Sequence, residues 1–160
     1  CSGLTMIPQI DTSNGTNFSD MFSGCSGLTM IPQIDTSNGT RFDYMFCGCS
    51  KLTTILQIDT TKGTRFDYMF SSCSGLTNLT IAGGINTSGM SLGSATKLSK
   101  ASITSVVNAL SASASGKSIT FSKTAIASAF ETSSGAADGV ASDEWLNLIA
   151  TKSNWTISLV

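Results

Sequence analysis

The sequence contains no histidine. That absence removes Ser-His-Asp and Cys-His nucleophile systems, and every His-metal arrangement, from this chain. Charge is scarce as well: 12% of 160 residues, with nine Lys plus Arg against ten Asp plus Glu. So even a balance offers no electrostatic basis for binding nucleic acid or an anionic membrane surface. Apolar runs are short. None approaches the roughly 20 residues of a membrane span, so no membrane insertion is expected. No G-x-x-x-x-G-K-[ST] loop is present, and Ala82-Gly83-Gly84 is too short to be a nucleotide motif, so no cofactor is expected. No signal peptide and no initiator Met open the chain. It starts inside a repeat, on Cys1, and so reads as one domain's length cut from a longer polypeptide.

What the sequence has is repetition. Residues 1–16, CSGLTMIPQIDTSNGT, return unchanged at 25–40. Cys1, Cys25, Cys49 and Cys73 keep a step of 24, as do Leu4, Leu28, Leu52 and Leu76. Asp11, Asp35 and Asp59 follow the same step, then Gly15, Gly39 and Gly63, then Phe18, Phe42 and Phe66. Within one unit, LTMIPQI suits a short strand and DTSNGT a turn. In TNFSDMFSGC, Phe18, Met21, Phe22 and Cys25 stand at i, i+3, i+4 and i+7. That spacing predicts a short amphipathic helix capped by Thr16 or Asn17. One unit cannot bury its own apolar stripe, but stacked units cover one another, so identical units are physically sensible.

The step of 24 lies within the range of leucine-rich repeats. MFSGCSGLTMIPQIDTSNGT, MFCGCSKLTTILQIDTTKGT and MFSSCSGLTNLTI resemble the BspA-like leucine-rich repeats of bacterial surface proteins and of bacteriophages of gut bacteria. The resemblance implies an adhesion or binding module, not an enzyme, and covers residues 1–82. The expected fold is an α/β leucine-rich-repeat solenoid of short parallel strands and short helices. Strands are expected near 4–7, 28–31, 52–55, 76–81, 118–122 and 155–159. Residues 83–160 are expected to hold a degenerate repeat and a C-terminal cap continuous with the solenoid. There, LSKASITSVVNALSAS predicts a helix capped by Ser99, GKSITFS a strand, SDEWLNLIATKSN a helix capped by Ser142, and WTISLV a last strand. KTAIASAFETSSGAADGVA is read as a long connection. The helix–strand pattern is similar to the segment that closes such arrays in gut-phage and gut-bacterial proteins.

The five cysteines can be read as a thiolate metal site, as inter-unit disulfides or as small apolar fillers. Thiols strung along a rod cannot converge on one tetrahedral ion. Cys1, Cys25, Cys49 and Cys73 are therefore expected to form a buried ladder of reduced thiols, with no metal. Reduced thiols fit assembly in a reducing cytoplasm better than ordinary secretion. Asp11, Asp35 and Asp59 could hold Ca²⁺ in a stack, but the stronger reading is that each caps its own turn, because they lack the oxygen spacing of calcium loops. Asp138, Asp143 and Glu144 are the only close acids in the cap, a weak basis for sugar hydrolysis.

Positions that vary between units, or that face away from the aliphatics, are the candidate contacts. Arg41, Tyr44, Arg65 and Tyr68 recur on the polar side of the expected helices; Met6, Gln9, Gln33 and Gln57 recur on the strand side, a face read as uncharged. They suit a protein or glycan surface, and a homo-oligomer within a larger assembly is possible. The expected role is a non-enzymatic virion protein of a bacteriophage (tail, fibre or decoration), contacting host surface or neighbouring virion proteins. The alternative is a repeat segment of a bacterial cell-surface adhesin. Either places the chain on a virion or on an extracellular bacterial surface.

Overall fold

The computed structural model describes residues 2–130 and 142–160. In chain order the elements are β1 (Thr54–Asp59), β2 (Asn78–Ala82), β3 (Ser91–Leu92), α1 (Lys100–Ala109), β4 (Lys117–Phe121), α2 (Lys123–Ala129), α3 (Asp143–Ala150) and β5 (Trp155–Leu159). β1 and β2 form one parallel sheet; β3, β4 and β5 form a second.

Successive 24-residue units lie over one another in register. Phe18, Phe42 and Phe66 stack with ring centroids 5.7 and 5.5 Å apart, and Phe22, Phe46 and Phe70 with 5.5 and 5.8 Å. Leu28, Leu52 and Leu76 are fully buried between the same layers. Each such side chain contributes about 1.5–3 kcal/mol of hydrophobic burial. The amides of Thr29, Thr53 and Thr77 donate one unit back, to Thr5, Thr29 and Thr53 carbonyls. On the other side Phe18, Asp20, Phe22 and Gly24 donate one unit forward, to Arg41, Asp43, Met45 and Cys47 carbonyls at 2.7–2.9 Å.

This register does not produce the expected leucine-rich-repeat solenoid of strands and helices. The chain is a small mixed α/β domain; among the described residues it has two separate parallel sheets and three helices that all lie beyond Ser99. Two physical causes account for the difference. The segments expected as short helices are successive turns. Met21, Ser23 and Cys25 donate three residues back, while the amides between them are taken by the next unit. Asp20, Tyr44 and Tyr68 stand at φ of 59°, 57° and 56°, and Gly24, Gly48 and Ser72 at 71°, 77° and 59°, which interrupts a right-handed helix twice per unit.

The second cause is proline. Pro8 and Pro32 lack the amide a ladder needs, and no strand forms at 4–7 or 28–31. Met30 makes only an isolated bridge to Thr54. Leu56 and Thr80 occupy the equivalent places in the next two units, and there β1 and β2 do form, two residues later than expected.

The C-terminal half follows its sequence signals closely. The Ser99 and Ser142 side chains accept from Ser102 and Trp145 amides as N-caps. β4 and β5 fall where GKSITFS and WTISLV place them. The expected long connection instead begins with α2, capped by Ser122; its continuation, residues 131–141, lies outside the described residues. α1 closes the open edge of β2 with hydroxyls. Ser102 Oγ accepts from the Leu79 amide at 2.9 Å, and Ser105 Oγ from the Ile81 amide at 3.0 Å. Two orphan strand donors are thus satisfied without another strand.

Candidate contact surfaces

The units' register turns each exposed position into a row. On the strand side, Gln9 donates its amide to Gln33 O at 2.8 Å and Ile10 O at 3.3 Å. Gln33 repeats the pattern to Gln57 O at 3.1 Å and Ile34 O at 2.9 Å. Asp11, Asp35 and Asp59 each cap a turn, accepting from Ser13, Ser37 and Thr61 amides at 3.0, 2.9 and 2.8 Å. Hydrogen bonds from the Ser13 and Ser37 side chains and amides hold the Asp11 and Asp35 carboxyls below the usual range. The Gln and Asp rows line one open groove of about 590 Å³ running across three units. The strand face is therefore not uncharged: the acids read from sequence as turn caps also border the Gln row. Their period of 24 was visible; that turn and strand positions share one groove was not. Met6 and Met30 stand well exposed.

The other row is aromatic. Tyr44 and Tyr68 stack with centroids 5.0 Å apart and planes 17° from parallel, and both are exposed. Partial desolvation, with the Tyr68 and Asp67 neighbours, pushes the Tyr44 hydroxyl above its ordinary value. Arg41 and Arg65 are less available than the sequence suggested, because both hold Asp43. Arg41 Nη2 lies 2.8 Å from Asp43 Oδ2, which also accepts from Ser19 Oγ at 2.8 Å. Arg65 Nε pairs with Oδ1 at 3.1 Å, at an angle that makes it an ion pair and not a hydrogen bond. Asp43 is buried. Burial pushes its carboxyl up, but Ser19, Arg41 and Arg65 together outweigh that and hold it below 3.8.

Cys25, Cys49 and Cys73 are buried free thiols, and Cys47 is a half-buried one. Cys1 lies outside the described residues. Cys49 and Cys73 donate to Phe22 and Phe46 carbonyls at 3.0 and 3.1 Å. Burial pushes their thiols up to about 11 and about 12, which keeps them protonated and unreactive. No cluster among the described residues has the ligands for a metal ion. Asp143 and Glu144 sit in the first turn of α3, with Glu144 paired to Lys100; Asp138 lies outside the described residues. No described helix is long and apolar enough to cross a membrane.

Residues 3–92, more than half of the chain, match the family described as "Mycoplasma protein of unknown function, DUF285". The chain belongs to that family. The family's span takes in the stacked units, both contact rows and β1 to β3. No curated protein and no solved structure matches the chain.

Proposed function

We propose that the chain is a non-enzymatic contact module of a bacteriophage particle, binding host surface or neighbouring virion proteins through its repeated rows. The resemblance of its units to BspA-like surface and phage proteins is in line with this. The observation that carries the reading is the tyrosine row. Tyr44 and Tyr68 are exposed and hold positive φ, a conformation that costs a side-chain-bearing residue about 1–2 kcal/mol. Asp20 holds the same φ with no ring, so the turn belongs to the unit, and it is the exposed, stacked ring pair placed on that turn in the next two units that a contact task accounts for. Tyr and Arg are the side chains that protein interfaces favour, and repetition lets weak contacts add along an extended partner. Free thiols in the core fit a chain assembled in a reducing cytoplasm.

The test compares Tyr44→Ala/Tyr68→Ala with the unaltered protein for incorporation into purified particles and for adsorption to host cells. The double variant is expected to lose one or both with little change in melting. Equal incorporation and adsorption for both proteins refutes the reading. Recovery of the chain from the cell-surface fraction, and not from purified particles, transfers the same contact role to a bacterial adhesin.

A further inference from the structure

We infer that the groove over Gln9, Gln33 and Gln57 is a binding site for an extended, β-linked pyranose polysaccharide lying across the units, one sugar to a unit. This inference rests on the contact-module reading and assigns a ligand class to one of its faces. The chemistry of the lining supports it. Gln9 and Gln33 use their amide nitrogens on main-chain carbonyls, which leaves each Oε1 as a fixed acceptor. Thr12 and Thr36 use their hydroxyl protons on Asp35 and Asp59 carbonyls at 2.8 and 3.1 Å. Asp11, Asp35 and Asp59 receive their turn amides on Oδ1, and no hydrogen bond from the described residues reaches Oδ2 of Asp11 or Asp59. The groove therefore offers rows of preorganised acceptors and few donors. Its ligand has to be rich in donors, as a chain of sugar hydroxyls is. Acceptors already held in place lose little freedom on binding.

Spacing separates a sugar chain from a peptide. The stacked rings of successive units lie 5.0–5.8 Å apart, and units that pair as parallel strands lie about 4.7–4.9 Å apart on the groove side. An extended peptide repeats its side chains on one face only about every 6.6–6.8 Å, so it falls out of step within a few units. A β-linked pyranose chain advances per sugar by about the separation of neighbouring units. Three carboxylates give a basic peptide some attraction, and the experiment keeps that partner as a contrary outcome.

The experiment titrates the full chain with hexamers of β-1,4-linked glucose and of β-1,4-linked N-acetylglucosamine, with an α-1,4-linked glucose hexamer and hexalysine for comparison. One β-linked hexamer or both are expected to bind at least about tenfold more tightly than the α-linked one, equivalent to 1.4 kcal/mol. Gln33→Ala and Asp35→Asn should each weaken that binding by about tenfold, the effect of a single hydrogen bond. Asp35→Asn keeps an Oδ1 for the turn amide, so its melting temperature should stay within a degree or two of the unaltered chain, and this identifies loss of binding without loss of fold. Absence of binding by both β-linked hexamers overturns the inference, as does binding that both variants leave unchanged. Salt-sensitive binding of hexalysine that Asp35→Asn removes assigns the groove to a basic peptide and also overturns it. None of these outcomes touches the particle and cell assays of the tyrosine pair, so the ligand class can fail while the contact role stands.

Discussion

Replacing Tyr44 by Gly and, separately, by Ala isolates the backbone strain beneath the aromatic row. Both substitutions remove the ring and its stack with Tyr68, a pair worth about 0.5–1.5 kcal/mol. They differ in what they leave at φ 57°. Ala keeps the left-handed penalty of about 1–2 kcal/mol, whereas Gly carries none. Gly loses about 0.4–1 kcal/mol more through the freedom of the unfolded chain. The difference is about 1 kcal/mol in favour of Gly, the reverse of the usual order of these two residues. Asp20 takes the same conformation in the first unit with no ring to stack, so the geometry belongs to the position and not to tyrosine. Paired thermal melts at one scan rate should place Tyr44→Gly about 2–4 °C above Tyr44→Ala. An Ala variant as stable as the Gly variant, or more so, would refute the strain at this position.

Phe42→Ala should destabilise by about 3–5 kcal/mol in chemical unfolding, because its ring is fully buried between Phe18 and Phe66. Phe18→Ala should be milder by about 0.5–1.5 kcal/mol, since Phe18 stacks on Phe42 alone among the described residues; equal losses would show that ring stacking adds nothing here. The Asp43 carboxyl titrates below 3.8 in the folded chain, so its stabilisation is complete above about pH 3.8 and is lost as pH falls through the lowered value. Asp43→Asn should therefore be less stable than the unaltered chain at pH 7, and the gap should narrow in melts taken below pH 4; a gap independent of pH would mean that Ser19, Arg41 and Arg65 together do not favour the carboxylate.

The period of 24 was legible in the sequence because a stack repeats the same apolar residue at the same height, and Phe18, Phe42 and Phe66 do meet as a ladder. α1, α3, β4 and β5 were legible because their signals are local: Ser99 and Ser142 accept amides three residues ahead within their own chain segment. The same spacing misled inside the units. Phe18, Met21, Phe22 and Cys25 have helical periodicity, yet alternate amides of that segment bond to the next unit, an alternative no single unit's sequence displays. Only the tertiary structure decided that Asp43 is buried under Arg41 and Arg65, and that Asp35 stands beside Gln33 in a groove. Sequence periodicity specifies which residues recur at one height. Which side chains then converge depends on distances between units, and those are set by packing of the whole stack.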